Sequence, residues 1–359
     1  RSGGKIVNVH RATSLHPFIN YPFRTVDQIK AWADSCHIMG TKAKFYYTVR
    51  ELTTAVEEIW ALRSLGNEIL TDIDSGYPPY AWLQEHLVSD YAPMWYTYLN
   101  EPNSFYEVDA AIKTSSGSSR WYNYYVEGLR WMIENTGVDG IYIDDCAFDR
   151  RMLKRMRRAM ESIKDGCLID LHSNNEYSLG AANEYTEYFP YIDHLWFGEM
   201  FFYEKMSAEE YLVDCSGIPF GMTADMLWEG GNPWLGMQYG MTSRWTWSDP
   251  RPIWKIWDEF GIEDSRMLPW WKQGKSAGET GVFSSEDSVK VTAFRKDGRT
   301  LLSIGNYSVK DKRVHLDIDP SKLGVSPCFR AVAPEIRGGR YEFHTEGHDS
   351  SHGDMVGLI

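Results

Sequence analysis

The chain has 359 residues, 43% of them apolar and 24% charged, which indicates a globular protein and excludes a disordered or fibrous one. Its net charge of −13 argues against a nucleic acid partner, and no apolar run reaches the ~18 residues of a membrane span. Five cysteines with no CxxC pair read as buried thiols rather than a zinc knuckle or a disulfide framework.

The first predicted strand is Lys5–Val9, followed by a helix over Thr25–Met39 with Thr25 as its N-cap. Ala43–Val49 is a second strand and Leu52–Leu65 a second helix. Met94–Leu99 is a third strand, and Arg120–Asn135 is a helix with Trp121, Tyr125, Leu129 and Met132 on one face. Gly140–Asp144 is the fourth strand, and Asp149–Lys164 the helix after it, with Asp149 placed to cap it. Cys167–Leu171, Ile192–Phe197 and Ile218–Met222 are the fifth to seventh strands, an eighth is not placed, and Pro252–Phe260 is a late helix. Strands alternating with helices predict a (β/α)₈ barrel over residues 1–274. No GxGxxG follows the first strand, so a dinucleotide-binding fold is disfavoured and no cofactor is called for. Beyond residue 275, Ser288–Phe294, Thr300–Asn306 and Arg313–Ile318 alternate in period two, with Asp297-Gly298 as a hairpin turn, which predicts a small all-β sandwich over 275–359.

Barrel enzymes carry their chemistry where strands end at the C-terminal face. The fourth strand ends in Asp144-Asp145, and the sixth leads into Glu199. Two carboxylates facing each other at such a mouth suit glycoside hydrolysis, one at the anomeric carbon and one on the leaving oxygen. Trp196 and Phe197 would raise the pKa of Glu199, and Arg50 with Arg11 would keep Asp144 ionised. Strand parity alone leaves open whether Asp144 or Asp145 points inward. Tyr47, Arg50, Glu51, Asp145, His172, Asn174, Trp196 and Asp225 are candidate carbohydrate-binding residues. His172 with Asn174 reads equally as a packed pair. His10, His16 and His37 lack the His-x-His of a metal-dependent barrel hydrolase, so no metal site is predicted. The basic run Arg150–Arg158 reads as a solvated helix face, and the absence of GxSxG argues against a serine hydrolase. Nine of the fifteen Trp lie between Trp196 and Trp271, and core packing and sugar stacking both account for such a cluster.

GIYIDDCAFDR (140–150) resembles the nucleophile strand of barrel glycosidases of the α-galactosidase and α-N-acetylgalactosaminidase type. FYYTVREL, SRWYNYYVEGLRW, LIDLHSNN, YIDHLWFGEMF, IPFGMTADML and PIWKIWDEFGIEDSRM widen the resemblance to bacterial glycoside hydrolase domain proteins. It implies a retaining glycosidase with Asp144 as nucleophile and Glu199 as acid/base, secreted or periplasmic, with an N-terminal β-sandwich in such proteins. A Glu at the sixth-strand position is similar to the endo-acting α-N-acetylgalactosaminidases, and the Lys-Tyr-Asp of ordinary α-galactosidases is absent. An inverting enzyme using the same pair, a metal-dependent hydrolase and a non-catalytic sugar-binding barrel are the alternatives.

Overall fold

The computed structural model describes residues 3–11, 13–71, 93–100, 105–113, 119–144, 148–172, 186–196, 205–225, 234–242, 249–272, 276 and 281–332. Those of Gly4–Asn174 and Glu184–Trp196 form one compact unit, and those of Phe197–Ile359 belong to another.

The first unit is built on a parallel sheet. Its strands β1 (Ile6–Val9), β2 (Lys42–Tyr46), β6 (Gly140–Ile143), β7 (Leu168–His172) and β8 (His194–Trp196) run in that order across it. Helices α1 (Val26–Ile38), α3 (Arg120–Thr136) and α4 (Arg150–Glu161) form the crossovers. The α3 helix starts where the Ser119 hydroxyl accepts from the Trp121 N–H and stops at Gly137, whose φ of 73° suits a left-handed C-cap. Its stripe Trp121, Tyr125, Leu129 and Met132 is buried, as the 3.6 spacing requires. Asp149 caps α4 by accepting from the Met152 N–H, and the Arg150, Arg151, Lys154, Arg155 and Arg158 side chains are exposed on its outer face.

Three expectations are corrected here. The segment at Met94–Leu99 is not a barrel strand. It forms β4 (Pro93–Asn100) in an antiparallel side sheet with β3 (Glu51–Thr53) and β5 (Phe105–Ala111), ordered β3-β5-β4. β2 therefore pairs directly with β6, and the strand leading to Asp144 is third in the parallel sheet rather than fourth. The helix over Leu52–Leu65 shrinks to α2 (Ile59–Arg63), because Glu51–Thr53 is drawn into pairing with Asp109–Ala111. The Thr25 hydroxyl does not cap α1; it donates to the Leu15 carbonyl at 2.8 Å.

In the second unit, Ile218–Phe220 is a 3₁₀ turn rather than a strand. Gly217 and Gly221 bracket it at φ 68° and 73°, and the strand, β9, begins only at Thr223 and runs to Asp225. The chain closes with an all-β domain of antiparallel sheets: β10 (Arg266–Leu268) with β12 (Val289–Lys296) and β13 (Arg299–Asn306), and β11 (Val282–Ser284) with β14 (Leu316–Ile318). Asp297 and Gly298 both take positive φ, 45° and 74°, in the two-residue hairpin between β12 and β13. Val282, Val291, Ala293 and Leu323 form its core. Cys36, Cys167 and Cys215 are buried free thiols as expected, whereas Cys328 is exposed.

Candidate active site

The register of β2, β6 and β7 decides the parity of Asp144. Tyr46 is paired with Tyr142, and Tyr142 with Asp170. One step beyond this layer, the Tyr46 hydroxyl donates to Asp144 Oδ2 at 2.9 Å, so Asp144 lies on the face that carries Tyr46 and Tyr142. His172, at the end of β7, brings Nδ1 to 3.5 Å from Asp144 Oδ1. The Thr48 hydroxyl donates to the Asp144 main-chain carbonyl at 2.8 Å and fixes the strand end. The Asp144 side chain remains 25% exposed while His172 is buried, so the carboxylate is both held and accessible.

Further rings pack against Tyr46, which holds this carboxylate, and against Tyr142 on the same face. The Trp196 ring lies 4.3 Å from that of Tyr142, and the His10 ring 4.4 Å from that of Tyr46. Burial, then the Asp144 and Glu51 charges, push the Tyr46 phenol well above its ordinary value. Tyr46 therefore keeps its proton and acts as the donor to Asp144.

Glu51 is only 1% exposed, with Oε1 3.3 Å from the Arg50 guanidinium and its main-chain carbonyl accepting from the Asn20 amide. Burial raises its carboxyl to about 7, against the pull of Arg50 and Arg11 and with the help of Asp144. His16, fully buried beside Phe45, is lowered to about 3, chiefly by burial and then by His10, and so is neutral.

Of the sequence candidates, Asp144 and His172 come together, Trp196 is buried against Tyr142 and the Lys44 ammonium rather than open to a sugar, and Arg50 is a half-buried partner of Glu51. Glu51 itself presents no carboxylate to a sugar, because its side chain is enclosed. Tyr47 faces the other way. Its ring packs against Tyr125 of α3 at 4.5 Å, and its carbonyl accepts from the Tyr125 hydroxyl at 2.6 Å. Adjacent residues on a strand project to opposite faces, so Tyr46 takes the place expected of Tyr47. Asp225 ends β9 in the other unit. Glu199, Asp145 and Asn174 lie outside the described residues, and with them the Asp144–Glu199 separation. Trp234 is core rather than cleft, packed with Met237 and Ile253. Tyr46, Thr48 and His10 were missed; counting back in twos from Asp144 finds Tyr142, but only the β2–β6 register reveals Tyr46. Among the described residues no group of His, Cys, Asp and Glu is placed to hold a metal ion, and no helix is long and apolar enough to cross a membrane.

Comparison with known proteins identifies the family to which the chain belongs. The profile of the glycoside hydrolase 123 TIM-barrel domain matches residues 1–246, and that of the glycoside hydrolase 123 C-terminal domain matches residues 249–348. The chain belongs to glycoside hydrolase family 123. It is thus a glycoside hydrolase, a TIM-barrel domain followed by an all-β domain. No curated protein matches it. Among solved structures, an α-amylase from Anoxybacillus is 10% identical with a TM-score of 0.54, covering 86% of this chain and 77% of that one. A noncanonic maltogenic α-amylase from Thermotoga neapolitana is 12% identical with a TM-score of 0.48, covering 82% and 71%. The first of these likenesses supports the barrel fold alone.

Proposed function

We propose that this family 123 enzyme is a retaining glycosidase acting on N-acetylgalactosamine-type glycosides, with Asp144 as the carboxylate at the anomeric centre. The observation that carries the reading is the hold on Asp144: Tyr46 donates to one oxygen, His172 approaches the other, and a quarter of the side chain stays open. An ionised, oriented carboxylate at a barrel mouth is what a developing oxocarbenium ion requires. Glu199, next in the chain after the apolar Trp196-Phe197-Gly198, is the proposed acid/base. It would protonate the leaving oxygen and then take the proton of the attacking water.

The α-linkage suggested by the sequence resemblance gives way to a β-linkage, since family 123 is one of β-N-acetylgalactosaminidases. That substrate brings a second reading of the first step. The sugar's own acetamido oxygen can take the attacking role, as in other substrate-assisted glycosidases. Asp144, with both oxygens near protein groups, would then orient the acetamido nitrogen and stabilise its positive charge.

The test uses aryl α- and β-N-acetylgalactosaminides and galactosides with the Asp144→Asn and Glu199→Gln variants. Loss of about a thousandfold or more in kcat for each on the β-N-acetylgalactosaminide supports the assignment. Unchanged turnover in Asp144→Asn rejects it. A 2-fluoro sugar that labels Asp144 supports direct attack; inhibition by an N-acetylgalactosamine thiazoline without a label supports the acetamido route. NMR of the first-formed sugar anomer separates retention from inversion.

A further inference from the structure

Beneath Asp144, the inner face of the sheet holds a pair of opposite charges that the proposed chemistry leaves unused. Lys44 on β2 and Asp170 on β7 form an ion pair, their side chains only 2% and 4% exposed. Their strands are not neighbours, because β6 lies between them. The lysine therefore crosses the inner face of β6. It does so from the register position of Gly140, which is aligned with Lys44 on one side and Leu168 on the other and puts no side chain in the way. The same ammonium group lies 4.9 Å over the ring of Trp196, on β8. One cation thus gathers β2, β7 and β8 around the strand that leads to Asp144.

Strand parity carries this to the site. Two residues beyond Lys44, on the same face, is Tyr46; two residues beyond Asp170 is His172. Tyr46 and His172 are the groups that approach the two oxygens of Asp144. Their separation follows the separation of β2 and β7, which the ion pair spans one layer below. Stability alone gives no reason to bury two charges here, since an apolar pair of similar volume often serves the fold as well or better.

We propose that the Lys44–Asp170 ion pair is a positioning strut that sets the spacing of Tyr46 and His172 about the Asp144 carboxylate. It rests on the reading of Asp144 as the carboxylate at the anomeric centre. Neither charge reaches the substrate, so both are positioning residues.

The test compares Lys44→Met, Asp170→Leu and the double variant, in the full chain, with Asp144→Asn and Lys44→Arg. Each single variant strands a buried charge and lowers the melting midpoint, and the double variant recovers it. In the double variant kcat is expected to fall about tenfold to a hundredfold with KM nearly unchanged, as for a small misplacement of reacting groups. Wild-type kcat in a folded double variant overturns the proposal. A second readout needs no substrate: the His172 imidazole resonance, assigned by its loss in His172→Gln. In the double variant it should move in the direction it moves in Asp144→Asn; no movement overturns the strut. Should the double variant not fold, Lys44→Arg decides. The larger, planar guanidinium alters the length of the strut, so kcat should fall and the His172 resonance should shift together, while a folded Lys44→Arg with wild-type kcat and resonance overturns the proposal. Full turnover in Asp144→Asn would remove the reading of Asp144, and the resonance would still judge the strut.

Discussion

At the scale of single residues, the site depends on groups that keep or lose a proton because of where they sit. Tyr46 is fully buried and its phenol stays protonated, so its bond to Asp144 Oδ2 pairs a neutral donor with a charged acceptor. Such bonds are worth about 1.5–3 kcal/mol. Tyr46→Phe should therefore lower kcat/KM by about ten- to a hundredfold and lower the melting midpoint by no more than the loss of that one bond. Steady-state kinetics beside a thermal melt checks both halves. Glu51 gives a pH-dependent test of stability. Its folded pKa, about 7, is raised above the ordinary 4.5, so as pH rises the unfolded chain ionises first. The stabilisation is complete below 4.5 and is lost as pH climbs to about 7, by roughly 3 kcal/mol. Glu51→Gln cannot ionise. Its stability relative to wild type in urea should rise by most of that amount between pH 4 and pH 8. A gap that stays constant with pH would refute the raised pKa.

At the scale of elements, the repeating strands and helices were legible in the sequence because burial imposes a period. The α3 and α4 stripes, the Asp149 cap and the Asp297-Gly298 hairpin follow from local rules. Pairing partners did not follow. Met94–Leu99 has the composition of a barrel strand, yet it pairs antiparallel with β5, a choice made between distant segments. Asp144 was legible as an acid after an apolar strand; its partner Tyr46, 98 residues away, was not. Asp139 shows how one side chain sets strand positions in this sheet. It accepts from the Ala43 N–H at 2.7 Å, pairs with Lys164 at 2.6 Å and meets His37 at 2.8 Å. Its own N–H donates to the Ala43 carbonyl, and its carbonyl accepts from Leu168, so it ties the start of β6 to β2 and β7. Burial pushes its carboxyl up, but the Lys164, Ala43 and His37 bonds together hold it below the ordinary value. Asp139→Ala should cost about 2–4 kcal/mol in urea unfolding, leaving the main-chain bonds in place. A loss under about 0.5 kcal/mol, the range of an ordinary surface change, would contradict this role.

At the scale of the whole molecule, the question is where one module ends and the next begins. The barrel profile runs to residue 246 and the C-terminal profile starts at 249, but the packing does not divide there. Trp234 and Met237 share a core with Ile253, Trp257 and Leu301. Gln238, almost fully buried, donates from its amide to the Ser303 hydroxyl at 2.7 Å, and its carbonyl accepts from the Thr292 hydroxyl at 2.8 Å. The Tyr239 hydroxyl meets that of Tyr307 at 2.9 Å. These contacts join the last stretch of the barrel profile to β12 and β13, so that stretch depends on the C-terminal sheet for its cover. A chain cut after residue 248 would expose Trp234 and Met237 and leave Gln238 without its buried partners. Its soluble yield should drop, and what remains should bind a hydrophobic dye and melt below the full chain. Gln238→Ala in the full chain is the gentler version. It strands the Ser303 hydroxyl, keeps the main-chain bond to Thr292, and should cost about 1–3 kcal/mol. If the truncated chain instead melts at the wild-type midpoint and Gln238→Ala is silent, the contacts across residue 248 hold nothing together. In that case the C-terminal sheet is a separate module, with a role to be sought outside stability.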